Sequence, residues 1–222
     1  MSKKANIIVM TAPSGTGKTT LTRRLLSEHE TVKTPTSLTT RPQRPNEKDG
    51  DHYHFVSVQE FEAAIQQEKF LEWAKVFENY YGTSYEDFDN LTAHAEQVLL
   101  EIDVQGWQQI KRRVPESIGV FIMPPSLEDL WQRLSGRGTE ALQTRWLRLQ
   151  EAHDELLSVS SYDAFIINVD IDAAYKDMEN LVISRKIPQL DKDSAIQHAE
   201  KLLAEYESAP WIQDLRSKFE NQ

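Results

Sequence analysis

The chain has 222 residues, of which 39% are hydrophobic and 27% are charged, so it is long enough to bury one sizeable core. A formal net charge of −10 argues against a nucleic-acid-binding surface, which needs a basic footprint, and the absence of cysteine excludes disulfides, thiolate metal sites and a cysteine nucleophile. No apolar run approaches the roughly 18 residues of a membrane span, and no signal-peptide pattern follows Met1. A cytoplasmic protein without a membrane attachment is expected.

The first predicted strand is the continuous apolar run at residues 6–10, which is typical of a strand covered on both faces. A glycine-rich turn and a helix that begins near Gly17 follow it. Strand-like apolar runs recur later, separated by segments of helical periodicity. This alternation predicts an α/β fold with a parallel sheet. The further predicted strands are 98–104, 118–123 and 164–168, and the further predicted helices include 127–134 and 173–183.

The glycine-rich turn matches the spacing of the Walker A motif, with Ala12 at the place of the first glycine. Gly15 and Gly17 leave room for backbone N–H groups to close around phosphate oxygens. Lys18 supplies a positive charge, and Thr19 offers a hydroxyl to Mg²⁺. The motif predicts a P-loop NTPase-type three-layer α/β/α core that binds a nucleotide phosphate together with Mg²⁺. The predicted cradle consists of Ala12, Pro13, Ser14, Gly15, Thr16, Gly17, Lys18, Thr19 and Thr20.

Two acids, Glu101 and Asp103, stand two residues apart at the end of the predicted strand 98–104. The period of a strand puts both on one face, and the carboxyl end of a parallel strand is where ligands of such sheets bind. They are candidates to hold Mg²⁺ through water or to contact a substrate. A solvated strand end is the alternative interpretation.

Several segments, taken in order, resemble the guanylate kinase family over about residues 5–185. The resemblance implies transfer of the γ-phosphoryl group of ATP to GMP, with dGMP as a further acceptor, to give ADP and GDP. Changes in composition and periodicity along the chain separate four parts, which the resemblance identifies as a nucleotide-binding core, a GMP-binding lobe, a lid and a helical tail. The segments that carry the resemblance are 37–45, 49–55, 70–74, 79–83, 101–106, 124–126, 133–134 and 137–139, and the parts are 1–35 with 89–125 and 159–190 (core), 36–88 (lobe), 126–158 (lid) and 191–222 (tail).

The resemblance also implies roles in the GMP-binding lobe. Arg41, Arg44, Tyr53 and Tyr81 hold the GMP phosphate, since two guanidinium groups and two phenols suit a dianion. Glu72 accepts hydrogen bonds from N1–H and the 2-amino group of guanine, a donor pair that adenine lacks. The remaining GMP-binding residues implied are Ser37, Gly82, Thr83, Glu101 and Asp103, with Glu101 also a Mg²⁺ ligand beside Thr19.

Three lid arginines, Arg133, Arg137 and Arg148, are implied to act over the transferring phosphate, with Arg145 as an alternative to Arg148. Asn168 corresponds to a residue near the adenine of ATP, although a strand-end cap is an equal alternative. The implied catalytic residues are Lys18, Arg41, Arg137 and Arg148, and the ATP-binding residues outside the cradle are Arg133, Arg137 and Asn168.

Two other functions fit parts of the pattern. A guanylate-kinase-like interaction module has the same fold without activity, but its ATP cradle is typically degraded, whereas this cradle keeps its glycines and Lys18. A P-loop kinase for another small phosphorylated acceptor is disfavoured by Glu72. The expected partners are therefore ATP and GMP, with no nucleic acid and no membrane, and the sequence leaves both a monomer and a homo-oligomer open.

Overall fold

The computed structural model describes residues 5–76, 78–135 and 141–220. The elements in chain order are β1 (Asn6–Thr11), α1 (Lys18–Glu28), β2 (Val32–Lys33), β3 (Leu38–Thr39), β4 (His54–Phe55), α2 (Val58–Gln66), β5 (Phe70–Val76), β6 (Asn79–Ser84), α3 (Tyr85–His94), β7 (Gln97–Glu101), α4 (Val104–Arg113), β8 (Ile118–Met123), α5 (Leu127–Ser135), α6 (Leu142–Leu156), a 3₁₀ turn (Val159–Ser161), β9 (Ala164–Ile167), α7 (Ile171–Ser184), α8 (Lys192–Ser208) and α9 (Pro210–Glu220).

The strands form two sheets. The larger sheet has the strand order β2-β7-β1-β8-β9, with β2 parallel to β7 and β8 parallel to β9. The smaller sheet has the order β4-β3-β6-β5, in which β6 runs antiparallel to both β3 and β5. A parallel sheet with interspersed helices confirms the predicted α/β fold class. The continuous apolar runs become the buried strands of that sheet, as residues 98–100 and 120–123 show.

The predicted strand 98–104 is too long by three residues. Strand β7 ends at Glu101, and Asp103 is the N-cap of α4, where its Oδ1 accepts the backbone N–H of Gly106 at 2.8 Å. The prediction that Glu101 and Asp103 share one strand face is therefore wrong for Asp103. An aspartate at the N-cap accepts a hydrogen bond from an N–H group of the helix that has no partner within the helix. The strand therefore ends before Asp103 because α4 begins there.

The chain divides into two compact units. The first comprises Met1–Val9 and Leu26–Ile118, and it contains the four-stranded sheet together with α2, α3, β7 and α4. The second comprises Met10–Leu25 and Gly119–Gln222, and it contains the glycine-rich turn, α1 and all elements from β8 onward. The four-part organisation implied by the family resemblance stays a prediction.

The C-terminal helices α8 and α9 pack on α5 and α6 within the second unit. Tyr206 of α8 stacks on Trp146 of α6, with ring centroids 6.1 Å apart, and Trp211 of α9 lies 5.7 Å from Trp131 of α5. Ile212 is fully buried. Within the described residues, no helix combines the length and the apolar character needed to cross a membrane.

Because Ile212 is fully buried, replacing it with alanine should destabilise the second unit. We expect Ile212→Ala to lower the free energy of unfolding by about 2–5 kcal/mol, since the lost methyl and methylene groups leave a cavity. Urea unfolding followed by circular dichroism measures the change. Ile187→Ala is the matched control because Ile187 is 64% exposed in the segment before α8. Equal stability of the two variants would show that α9 does not belong to the folded core.

Candidate active site

The glycine-rich turn between β1 and α1 has the backbone that a phosphate cradle needs. Gly15 and Gly17 have φ angles of 87° and 100°, in the region that favours glycine. A Cβ at Gly15 would lie 2.9 Å from Leu134, and one at Gly17 would lie 2.8 Å from the amide nitrogen of Asn168. Neither position therefore has room for a side chain. Lys18 is the first residue of α1, so the positive end of that helix dipole follows the turn directly.

A cavity of about 280 Å³ opens beside this turn. Asn168 ties its wall together, since its Nδ2 donates to the carbonyl of Thr16 at 2.7 Å. Arg133 in turn donates to the carbonyl of Asn168 at 2.9 Å. Asn168 thus directly follows β9 and also lines the cavity. The cavity is lined by Gly15, Thr16, Gly17, Thr20, Arg133, Asn168 and Ile171.

Ile171 is a lining residue that the sequence did not single out. It is the first residue of α7, is 37% exposed and lies against Gly17. Its only sequence signal is an apolar residue three positions after Asn168. Its exposure in the structure suits contact with a flat apolar ligand surface.

The arginines of the predicted lid differ in the contacts that they make. Arg145 stacks on Trp131, with its Cζ 4.0 Å from the ring centroid, and donates to the carbonyl of Trp131 and the hydroxyl of Ser135. Arg145 is thus engaged in joining α6 to α5. Arg148 is half-buried on α6. Arg137 lies outside the described residues.

Arg41, Tyr53 and Tyr81 come together in the first unit. The rings of Tyr53 and Tyr81 are 6.0 Å apart, and the guanidinium of Arg41 lies 5.5 Å from the Tyr53 ring. Glu47 grips Arg41 through two hydrogen bonds of 2.7 and 3.0 Å and also accepts the backbone N–H of Arg44 at 2.8 Å. The bonds from Arg41 hold the pKa of Glu47 at about 2, so the carboxylate stays charged.

Glu47 is therefore a residue of this cluster that the sequence did not single out. Its signal was its spacing, three residues after Arg44 and six after Arg41. Because Glu47 fixes the Arg41 guanidinium in one place, it organises the loop that carries both predicted phosphate-binding arginines. The Arg44 side chain itself is exposed.

Glu72 is a buried carboxyl group on β5, with 3% of the residue exposed. The hydroxyl of Thr83 on the neighbouring strand β6 donates to its Oε1 at 2.7 Å. Burial raises the pKa of Glu72 to about 7, and the nearby charge of Asp103 raises it too, while the Thr83 bond lowers it. Near neutral pH this group is therefore divided between its acid and carboxylate forms.

The other predicted GMP-binding residues border these two clusters. Gly82 lies on β6, where a Cβ would meet the Phe70 ring at 2.8 Å, so only glycine fits. The backbone carbonyl of Ser37 accepts the N–H of His54, which ties the segment before β3 to β4. Glu101 ends β7, and its charge contributes to the raised pKa of Tyr53, whose main cause is burial.

A glycine cradle between a buried strand and a helix, in a parallel α/β sheet, defines the P-loop class of nucleotide-binding proteins. Comparison with known proteins identifies the family within that class. The guanylate kinase family model matches residues 4–185. This chain belongs to the guanylate kinase family. The α8–α9 extension lies beyond the matched residues.

Relatives and a solved structure agree with this assignment. The chain is 47% identical over 180 residues to a guanylate kinase of Neisseria meningitidis serogroup A, covering 81% of this chain and 88% of the relative. It is 42% identical over 188 residues to a guanylate kinase of Shewanella sp. strain MR-7, covering 84% and 91%. The crystal structure of guanylate kinase from Anaplasma phagocytophilum matches with a TM-score of 0.68 and 28% identity, covering 85% and 90%.

The raised pKa of Glu72 makes the stability of the nucleotide-free protein depend on pH. An unfolded glutamate titrates near pH 4.3, so between about pH 4.5 and 7 the folded chain keeps a proton that the unfolded chain has lost. The protonated Glu72 carboxyl therefore contributes its full stability to the folded chain below this pH window, and that stability is lost as pH rises through the window. We therefore expect Glu72→Gln, which stays neutral, to be more stable than the parent at pH 8 by up to about 3 kcal/mol and nearly equal at pH 4.5.

Urea unfolding at a series of pH values without nucleotide measures this difference. Glu78→Gln serves as the control because Glu78 is exposed in the same unit, and its stability difference from the parent should not change over the window. A Glu72→Gln difference that is also independent of pH would contradict the raised pKa.

Proposed function

We propose that this chain is an ATP:GMP phosphotransferase, the activity for which its relatives are named. The observation that carries the proposal is the buried Glu72 carboxyl with its Thr83 partner, in the unit that also gathers Arg41, Tyr53 and Tyr81. A buried acid beside a phosphate-sized cluster of cations and phenols suits a purine monophosphate.

Guanine recognition follows from the chemistry of Glu72. Its carboxylate accepts hydrogen bonds only, and guanine presents N1–H and a 2-amino group as two donors on one edge. Adenine presents an acceptor at N1, which would leave the buried carboxylate unpaired against another acceptor. A site of this kind rejects the wrong base strongly because an unsatisfied buried charge is costly. Thr83 holds one carboxylate oxygen, so the guanine donors meet a fixed acceptor.

The phosphate of GMP is assigned to Arg41, Arg44, Tyr53 and Tyr81. Because Glu47 fixes Arg41, the guanidinium is held in place before the phosphate arrives. The acceptor phosphate is largely dianionic at pH 7, with a second pKa near about 6, so no general base is required. An oxygen of that phosphate forms a bond to the γ-phosphorus of ATP while the bond to the ADP oxygen breaks.

The donor nucleotide is assigned to the glycine cradle and its cavity. Backbone N–H groups at Gly15 and Gly17 surround the phosphates, and Lys18 neutralises charge that spreads over the γ-phosphoryl oxygens. Arg133, Arg137 and Arg148 are assigned to the same task, and Asn168 with Ile171 to the nucleoside end of the cavity. The intact cradle supports an enzyme rather than an inactive interaction module.

The residues present suit Mg²⁺ as the metal that accompanies ATP. Thr19, the second residue of α1, offers a hydroxyl, and Glu101 at the end of β7 offers a carboxylate, both hard oxygen donors that Mg²⁺ prefers. Bound Mg²⁺ would neutralise phosphate charge and orient the phosphate oxygens.

A coupled assay of ADP release with ATP and Mg²⁺ tests the proposed function. We expect turnover with GMP and dGMP, and at least about a thousandfold lower kcat/KM with AMP, because adenine leaves Glu72 unpaired. Inosine monophosphate, which lacks the 2-amino group, should be an intermediate substrate. The assay is run on the full chain with each monophosphate in turn.

Lys18→Ala, prepared in the same way, is the control for contaminating kinases and should show no turnover. No turnover of GMP by the parent, or kcat/KM values for GMP and AMP that are equal, would contradict the proposed function.

A further inference from the structure

A β-bulge in β5 lies directly before Glu72. Phe70 pairs with Ser84 and Glu72 pairs with Thr83, so Leu71 is an extra residue on β5 without a partner on β6. The residues at positions 70, 71 and 72 are all buried, although a regular strand alternates its side chains between two faces. The bulge thus accompanies the burial of Glu72 next to Thr83.

Side chains on one face of helix α4 form hydrogen bonds with the backbone of this irregular strand. Gln109 bonds Trp73 in both directions: its Nε2 donates to the Trp73 carbonyl at 2.6 Å, and its Oε1 accepts the Trp73 N–H at 3.3 Å. Arg113 donates to the carbonyl of Phe70 at 2.8 Å and to the carbonyl of Leu71. Carbonyls at a bulge leave the regular ladder and require other donors, which α4 supplies.

Gly106 lies on the same face of α4, three residues before Gln109 and seven before Arg113. A Cβ at Gly106 would lie 2.7 Å from Oε2 of Glu72. The Glu72 carboxylate therefore occupies space that any larger residue on α4 would fill. Its Oε1 is held by Thr83 on one side, and its Oε2 approaches the α4 backbone on the other.

We infer that Gly106, Gln109 and Arg113 form a positioning face on α4 that fixes the bulge in β5 and thereby the place of Glu72. This inference rests on the proposed function, in which Glu72 reads guanine. Gln109 acts through the backbone of β5, and Gly106 acts by leaving room. Arg113 acts through the same backbone and also through its positive charge, which lowers the pKa of Glu72. The purine specificity of the enzyme then depends on residues of a helix as well as on Glu72 and Thr83.

The sequence of α4 supplies two matched controls. Gln108 and Arg112 are exposed neighbours of Gln109 and Arg113. Arg112 donates a hydrogen bond within α4, to the carbonyl of Gln108 at 3.0 Å. We compare Gln109→Leu with Gln108→Leu, and Arg113→Met with Arg112→Met. Within each pair the same substitution is made once at a residue that bonds the β5 backbone and once at its neighbour on α4.

Steady-state kinetics with separate titrations of GMP and ATP measure the effect. We expect Gln109→Leu and Arg113→Met to raise the KM for GMP about tenfold, the equivalent of losing one or two backbone hydrogen bonds. The KM for ATP should stay within about twofold, since the P-loop belongs to the other unit. The controls should leave both KM values within about twofold. Equal KM values for GMP in test and control variants would overturn the inference.

A double-mutant cycle separates positioning of Glu72 from general support of the fold. If Arg113 acts through Glu72, adding Arg113→Met to Glu72→Gln changes kcat/KM for GMP by less than about twofold, whereas independent effects multiply. Multiplied effects would overturn the inference. If Arg113→Met does not fold, Arg113→Lys replaces it, since lysine keeps one charged donor and should give an intermediate KM for GMP. A KM for GMP equal to that of the control Arg112→Lys would overturn the inference. Absence of GMP turnover by the parent chain would instead contradict the proposed function itself.

Discussion

The buried carboxyl group of Glu72 requires hydrogen-bond donors and space from the residues around it in the first unit. A carboxylate withdrawn from water costs free energy unless donors replace the lost solvent. The structure supplies the Thr83 hydroxyl as a donor, yet burial and the charge of Asp103 still raise the pKa of the group to about 7. In the proposed function guanine provides further donors. The protein thus accepts a less stable nucleotide-free state at neutral pH in return for base discrimination, a common relation between stability and activity.

Contacts within the protein hold two parts of the candidate site before any nucleotide binds, the Arg41 guanidinium and the glycine-rich turn. Glu47 grips Arg41 and the backbone of Arg44, and Asn168 ties its amide to the P-loop carbonyl of Thr16. Holding cations and loops in advance reduces the entropy that binding must overcome. In the proposed function a chain with a net charge of −10 binds two polyanions through local positive groups, of which Arg41 is fixed by Glu47.

The sequence predicted the features that depend on local pattern. The apolar runs of β1 and β8 and the phosphate turn with Gly15 and Gly17 follow from periodicity and motif spacing, and the lobe residues were assigned by family resemblance, which the structure does not test. Gln109 and Arg113 were missed because they bond backbone groups of β5, which is distant in sequence and which no motif displays. Glu47 was missed although Arg41 and Arg44 are near it in sequence, because spacing alone does not show which acid pairs with an arginine. The bulge at Leu71 was also invisible, since three adjacent buried residues look like any apolar run. Asp103 was misplaced because strand periodicity does not reveal a helix cap.

Proton release on GMP binding tests the central claim most directly, because the claim is that guanine binds the charged form of Glu72. Isothermal titration calorimetry at pH 7 in buffers of different ionisation enthalpy gives the number of protons released. At a pH equal to the pKa the free group is half protonated, so binding should release about half a proton more from the parent than from Glu72→Gln. Equal proton release by the two proteins would contradict the account.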